Sequence, residues 1–474
     1  MKTYWWNTLV LCIAVASPAL AQNVEDAVRL ATPGIGVGAR ALGMGNAYTG
    51  VSSDYSALYW NPAGLAQAEH WEFFGGLSYF SATDKSTYFG STSSYTNDVV
   101  NLNALGLVCP VPVQRGSLVI AFGFDRQSNF TSGLQFSGFN PNSSIIQVWA
   151  PDGKPYPPNE TLAEQLGLAT ADTARGVFVS PFKNRLTQGA TVLEGKGLNN
   201  WSIGGAMDIA RNLSLGCTLT YLAGSYRYDR HYTEEDLNGI YNVYPDDLKK
   251  LVYGEYIESN ITGVNGTFGL MYREPDRFRF GITVKAPTVY YVHETFGATG
   301  SSTYKNGDSY GPHQDFENSG STEYDITTPW VFGAGLSVIL HELVISGDID
   351  YTDWKSLEFS KGNPDVVGEN TTIKQILRGA VNVRGGLEYD VRPLGVRLRG
   401  GFIYNRSPYE GDPSRFDQKI ATGGLGILLG SSTMLDIAYA RGWSETFRFN
   451  YDSSSRTDES ISTNNILLTL VHRF

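Results

Sequence analysis

Apolar and polar residues alternate along much of the chain, as expected of strands with one apolar and one polar face. After Thr433, for example, Leu435, Ile437 and Tyr439 fall on one face, while small and acidic residues fall on the other. The pattern predicts an all-β chain of fourteen strands. They lie at residues 70–80, 98–109, 116–128, 198–211, 213–230, 257–273, 276–290, 323–340, 342–354, 372–389, 395–405, 418–430, 433–445 and 461–474.

The predicted connections alternate between short turns, such as Arg211-Asn212 and Ser431-Ser432, and long loops. The long loops lie at 81–97, 129–197, 231–256, 291–322, 355–371, 406–417 and 446–460. An even number of strands with short turns at one rim is typical of an antiparallel transmembrane β-barrel of the outer membrane. A soluble β-sandwich remains the alternative, because its strands alternate in the same way.

Composition narrows the class of protein further. The 474 residues include 53 Gly, are 13% aromatic and are only 18% charged, which excludes a disordered chain. After residue 21 there is no apolar stretch of about 18 residues, so helical membrane spans are not expected. The net charge of −11 argues against nucleic acid as a partner.

The first 21 residues are predicted to be a secretory signal peptide. Lys2 precedes the apolar stretch Leu9–Ala16, and Ala19 and Ala21 form a small-residue cleavage pattern before Gln22. The chain is therefore expected to be exported. Export permits a disulfide between Cys109 and Cys217, and their spacing leaves the pairing open.

The last predicted strand carries apolar residues at alternate positions and ends on Phe474. An amphipathic C-terminal strand that ends in an aromatic residue resembles the signal read by the barrel-assembly machinery of the outer membrane. We therefore expect that machinery to be a partner, through Phe474.

Residues 22–69 do not alternate and are predicted to form a unit separate from a barrel at 70–474. They contain the runs Arg40-Ala41-Leu42-Gly43-Met44-Gly45-Asn46 and Trp60-Asn61-Pro62-Ala63-Gly64. These runs resemble the N-terminal hatch of the FadL/TodX family of outer-membrane transporters of hydrophobic compounds. Two later segments, 348–354 and 398–408, add to the resemblance.

The resemblance implies a fourteen-stranded barrel with an N-terminal hatch inside the lumen, positioned by Asn61, Pro62 and Ala63. It implies transport of long-chain fatty acids or other hydrophobic small molecules, released sideways into the outer-membrane lipid when the hatch shifts. PorV-like relatives share the hatch signature and serve as outer-membrane partners in protein secretion, so that role is the alternative. The substrate-binding residues are not identifiable from the sequence.

Helices are expected in two long loops, near Asn159–Ala169 and from Asp246 onward, where they would help to form an outer apolar groove. Enzymatic activity is not expected, because no Ser-His pair falls on one strand face near a rim. Asp348 and Asp350 share a strand face, but two carboxylates are too few for a Ca²⁺ site. The sequence therefore predicts no catalytic residue, metal or cofactor.

Overall fold

The computed structural model describes residues 23–155 and 160–474, so the predicted signal peptide at 1–21 lies outside the described residues. Most of the described chain forms long antiparallel strands. The strands are β1 Glu72–Tyr88, β2 Ser91–Val111, β3 Leu118–Asn129, β4 Ser132–Asn140, β5 Thr170–Asp172, β6 Val177–Val179, β7 Leu186–Ala210, β8 Leu213–Glu235, β9 Leu248–Glu274, β10 Phe278–Lys285, β11 Val289–Tyr304, β12 Ser309–Thr327, β13 Val331–Leu340, β14 Leu343–Asp353, β15 Glu358–Lys361, β16 Gly379–Val391, β17 Val396–Asn405, β18 Gln418–Leu429, β19 Thr433–Phe449 and β20 Arg456–Arg473. The α-helices are α1 Val24–Ala31, α2 Ala39–Gly43, α3 Ala57–Trp60, α4 Ile146–Trp149, α5 Leu162–Gln165 and α6 Pro364–Ile376, and the 3₁₀ helices are Pro62–Gln67, Trp354–Ser356 and Arg392–Leu394.

These segments build fourteen barrel strands, because four barrel strands are each interrupted once. The interruptions separate β3 from β4, β10 from β11, β12 from β13 and β14 from β15, while β5 and β6 form a small sheet of their own. β1 pairs with β20 from Glu72–Arg473 to Tyr88–Thr457, so the large sheet closes on itself. The predicted fourteen-stranded antiparallel barrel is confirmed.

Several strands are longer than the sequence predicts. β7, β8 and β9 contain 25, 23 and 27 residues, whereas ~9–11 residues suffice to cross a membrane. The predicted loops at 81–97, 291–322 and 446–460 are wrong, since most of their residues form paired hairpin strands. Beyond the lipid, both faces of a strand meet water or polar loops, so the alternation that marks a strand weakens there.

One of the two predicted loop helices is present and the other is not. α5 falls within 159–169, but it is a four-residue helix that begins with a capping box between Thr161 and Glu164. Leu166 is its C-cap residue, and Gly167, with φ of +67°, follows and ends the helix. The helix predicted from Asp246 is wrong, because β9 begins at Leu248 and pairs there with β11.

The two faces of the barrel wall differ as the alternation predicts. Ile203, Leu219 and Phe268 point outward and are each more than half exposed. The residues beside them along the strands, such as Ser202 and Thr218, point inward and are buried. No helix among the described residues is long and apolar enough to cross a membrane.

Candidate functional site

The N-terminal segment, residues 23–68, lies inside the barrel and is hydrogen-bonded to strands around its circumference. It begins with α1, where the side chains of Asn23 and Asp26 each accept the other's backbone N–H. Apolar side chains of α1 pack against the barrel wall and the outer loops. We name this group the α1 cluster: Val24, Ala27, Val28, Leu30, Phe130, Leu198, Leu222, Tyr226, Ile261, Tyr290, Val292, Tyr324, Ile326, Trp354, Leu357, Phe359, Val366, Ile373, Leu377 and Ala380.

Paired glycines on the wall allow the N-terminal segment to approach the strand backbones. Gly386 of β16 pairs with Gly401 of β17, and a Cβ on either would lie 2.0–2.2 Å from the backbone of Met44 or Gly45. Real Cβ atoms do not come this close, so both positions require glycine. A second pair, Gly106 and Gly123, receives the ring of Tyr55, whose hydroxyl donates to Phe124 O at 3.1 Å. Glycines on the wall therefore allow the N-terminal segment to lie in direct contact with the strand backbones.

A third glycine pair receives the predicted Asn61-Pro62-Ala63 motif. The Asn61 amide donates to Thr49 O at 2.9 Å and to Leu270 O of β9 at 3.3 Å, and its Oδ1 accepts the N–H of Ala63. Pro62 opens the 3₁₀ helix, where its missing N–H leaves no donor unpaired.

The glycines beside the motif are directly paired across β8 and β9. A Cβ on Gly216 would lie 2.4 Å from Pro62 C, and a Cβ on Gly269 would lie 2.1 Å from Asn61 Oδ1. The motif therefore ties the N-terminal segment to this part of the wall.

Charged groups form further contacts between the segment and the wall. Arg40 donates twice to Glu388 of β16, at 2.9 and 2.7 Å, and Glu388 also accepts from Arg399 at 2.7 Å. Asp348 Oδ2 of β14 accepts the backbone N–H groups of Tyr48 and Thr49, each at 2.8 Å.

Tyr48 also contributes a hydrogen bond within the segment. Burial raises the pKa of the Tyr48 hydroxyl well above its ordinary value, so the group stays protonated. It donates to Asp54 Oδ2 at 3.0 Å. The segment is thereby held by paired polar groups as well as by close packing.

The barrel wall is interrupted between β2 and β3, beside this segment. The β2–β3 ladder runs from Val111–Leu118 to Ala104–Asp125 and ends there, although both strands continue. Beyond the Ala104–Asp125 pair, β2 remains paired with β1 and β3 remains paired with β7, but β2 and β3 no longer pair with each other. The next hydrogen bond across this break runs from the side-chain amide of Asn97 on β2 to Ser132 O on β4, at 3.0 Å. We name the unpaired stretch between the Ala104–Asp125 pair and this hydrogen bond the wall gap; it lies between residues 98–103 and 126–131.

The chain bends inward along the wall gap. The register of β3 against β7 shifts between Arg126 and Ser128, which leaves Gln127 as an extra residue. Phe130 then joins the α1 cluster, with its ring 5.5 Å from that of Tyr226. Gly34, just after α1, donates its N–H to Gln127 O at 3.0 Å. The N-terminal segment is therefore bonded to the bend itself.

A cavity of about 470 Å³ adjoins the wall gap. It is lined by Asn101 and Asn103 on one side of the gap and by residues 126–129 on the other. Tyr59 and Trp60 of the N-terminal segment form part of its wall, and residues 405–409 and Phe416 line it near the loop between β17 and β18. The cavity thus extends from an outer loop to the interrupted part of the barrel wall.

Comparison with known proteins identifies the family. The family model described as outer membrane protein transport protein (OMPP1/FadL/TodX) matches residues 37–470. The chain belongs to this family. The family transports hydrophobic compounds across the outer membrane, and the protein is accordingly an outer-membrane β-barrel. No curated protein matches the chain in sequence.

Solved structures of low sequence identity share the fold. The toluene transporter TodX of Pseudomonas putida is 14% identical with a TM-score of 0.54, covering 93% of this chain and 99% of its own. A FadL homologue of Pseudomonas aeruginosa is 13% identical with a TM-score of 0.55, covering 92% and 98%. The toluene transporter TbuX of Ralstonia pickettii is 16% identical with a TM-score of 0.51, covering 93% and 98%.

The predicted motif residues Asn61, Pro62 and Ala63 lie against β8 and β9, whereas the position of the wall gap and the residues of the cavity were not predicted. The glycine doublets 385–386, 400–401 and 423–424 were the available signal for close contact with the wall. Phe474 is 72% exposed and donates its N–H to Trp71 O at 2.9 Å, and its recognition by assembly machinery stays a prediction. Cys109 and Cys217 are both free thiols. Among the described residues, no group of three or more His, Cys, Asp or Glu side chains is arranged to hold a metal ion.

Proposed function

We propose that this protein takes up hydrophobic small molecules, the class that contains long-chain fatty acids and aromatic hydrocarbons, and releases them sideways through the wall gap. The observation that carries the proposal is the missing β2–β3 ladder beside the cavity. An apolar molecule gains ~0.8 kcal/mol for each CH₂ group that leaves water. A path from the cavity into lipid avoids returning that molecule to water. Two of the structural relatives are described as toluene transporters, which supports the same class.

In this proposal residues 22–69 form the hatch and residues 70–474 the barrel. The hatch controls the gap through the bond between Gly34 N and Gln127 O. Asn61, Pro62 and Ala63 fix the opposite side of the hatch to β8 and β9, so that movement is confined to the part near α1. A small shift of that part would break the bond to the bend and widen the gap.

Deletion of Gln127 tests this route. Gln127 is the extra residue at the bend, so its removal restores a regular register between β3 and β7 and lets β3 extend its pairing with β2. We expect a folded barrel that no longer takes up radiolabelled toluene or palmitate in porin-deficient cells.

Deletion of Ile209 is the matched control, because it removes the extra residue of another register shift, at the far end of β7. Uptake should persist in that variant. Undiminished uptake in the Gln127 deletion, with the barrel folded, would rule out release through the wall gap.

The alternative role as a partner in protein secretion gains no support from the comparisons. A lumen occupied by residues 23–68 and a cavity that ends at the wall gap fit a small molecule. Transport of hydrophobic compounds is therefore the function that we propose.

A further inference from the structure

We propose that the cavity selects oxygenated aromatic molecules, such as phenols and aromatic carboxylic acids, over plain hydrocarbons and acyl chains. The inference rests on the proposed function and narrows its substrate class. It follows from the chemistry of the cavity wall.

Amide side chains are the most frequent polar groups in the cavity wall. Nine of its 33 lining residues are Asn or Gln, and the described lining contains three Ile but no Leu, Val or Met. A hydrocarbon that displaced water from these amides would leave them unpaired, which opposes its binding. A molecule with hydroxyl or carboxyl groups would replace the lost water contacts. The amide positions therefore favour an occupant that offers them hydrogen-bond partners.

Two of these amides have no hydrogen-bond partner in the described part of the chain. The side-chain amides of Asn101 on β2 and Asn465 on β20 make no hydrogen bond to another described residue, and both residues line the cavity. Their strands flank β1 on either side. A ligand that lies against β1 would therefore reach a free donor and a free acceptor on both sides.

Arg126, a cation at the wall gap, adds a preference for ligands that carry a phenol or carboxylate oxygen. Arg126 is one of the residues that line the cavity, and its guanidinium donates to two neutral acceptors, Asn199 Oδ1 at 2.9 Å and Lys196 O at 3.2 Å. No carboxylate of the described residues forms an ion pair with it. A phenol or carboxylate oxygen would supply the missing acceptor.

Aromatic rings complete the lining and favour a flat ligand. Tyr59 and Trp60 contribute from the hatch, with their ring centroids 4.8 Å apart, and Trp354, Tyr409 and Phe416 contribute from the outer loops. Such rings stack with or lie edge-on to another ring. An acyl chain gains less from this wall than a ring does.

The test compares toluene with p-cresol, which differ by one hydroxyl group, and adds p-hydroxybenzoate and palmitate. Binding to the purified full chain is measured by equilibrium dialysis of radiolabelled compounds. We expect p-cresol and p-hydroxybenzoate to bind at least about tenfold more tightly than toluene, since a polar site rejects an analogue that lacks the polar group. Asn101→Leu should remove most of that difference. The matched control is Asn260→Leu, because Asn260 is exposed on the outer face of β9.

The outcomes separate this inference from the proposed function. Toluene or palmitate binding as tightly as p-cresol, with no effect of Asn101→Leu, would overturn the substrate class and leave hydrophobic uptake intact. Absence of binding and of uptake for all four compounds would contradict both. Tight p-cresol binding that Asn101→Leu weakens and Asn260→Leu does not would support the assignment.

Discussion

At the scale of single residues, contact between hatch and wall depends on the absence of side chains at particular positions. Gly401 illustrates this dependence, since a Cβ there would lie 2.2 Å from Gly45 N and 2.5 Å from Met44 C. The neighbouring Gly400 has no atom within 4 Å of the same built Cβ. Two adjacent glycines on one strand therefore have different structural roles.

Gly401→Val should displace the hatch, whereas Gly400→Val should not. The added side chain has to move backbone, which we expect to destabilise the packing by ~1–3 kcal/mol. Thermal unfolding in detergent and passage of small polar solutes in liposome-swelling assays measure the effect. We expect a lower Tm and faster swelling for Gly401→Val alone, and identical behaviour of the two variants would contradict the close approach.

The sequence allowed part of this residue-level picture to be predicted. Asn61, Pro62 and Ala63 were identifiable because their motif resembles a known hatch, and each makes a close contact with barrel glycines or with the hatch backbone. Strand alternation places Gly400 on the outer face with Leu398 and Phe402, and Gly401 on the lumenal face. The sequence does not show that backbone of the N-terminal segment lies directly against Gly401, since that depends on what lies opposite it in space. The cavity escaped prediction for the same reason: Asn101 and Asn465 are 364 positions apart and line one cavity only when the barrel closes.

At the scale of elements, α1 fills an apolar space that the barrel provides. Val28 and Leu30 are buried in the α1 cluster, and Arg29 lies 3.7 Å from the centroid of the Tyr226 ring. The helix was not predicted, because eight residues carry too little periodicity to stand out from the surrounding sequence. Its apolar face occupies a space that would otherwise attract apolar molecules.

Weakening the contact of α1 with this cluster should expose the apolar space. Val28→Ser combined with Leu30→Ser removes apolar area from the helix, at a cost of ~1.5–3 kcal/mol for each fully buried side chain. Binding of the fluorescent hydrophobic probe N-phenyl-1-naphthylamine to the purified barrel should increase. Glu25→Gln is the control on the exposed side of α1, and equal probe binding in both variants would show that α1 does not cover this space.

At the scale of the whole molecule, strand pairing closes the barrel without a strand from the hatch. The β1–β20 ladder has 17 residue pairs and involves no residue before Glu72. The even strand number and the closure were predictable, because lipid on one face imposes a strict alternation. The hairpins that extend beyond the membrane were not, since that constraint ends with the lipid.

Deletion of residues 23–68 should therefore leave a barrel that still assembles. We expect a heat-modifiable band on gel electrophoresis, as in the full chain, and a larger single-channel conductance in planar bilayers because the lumen is emptied. A chain that fails to assemble would show that the hatch is part of the folding nucleus of the barrel.

If substrate leaves through the wall gap, a reversible cross-link across that gap should stop transport. Leu102→Cys and Arg126→Cys place thiols on its two sides, in a background in which the free Cys109 and Cys217 are replaced by Ser. Each single-cysteine variant controls for its own substitution, and a pair at Tyr389 and Leu398, which already face each other on β16 and β17, controls for cross-linking itself.

The measurement is uptake of radiolabelled toluene, p-cresol and palmitate by porin-deficient cells before and after reaction with a bismaleimide whose spacer contains a disulfide. We expect that cross-linking the gap abolishes uptake of whichever compounds the untreated protein transports, that a reductant restores this uptake, and that the β16–β17 cross-link has no effect. Full uptake through a completely cross-linked gap would contradict release by this route.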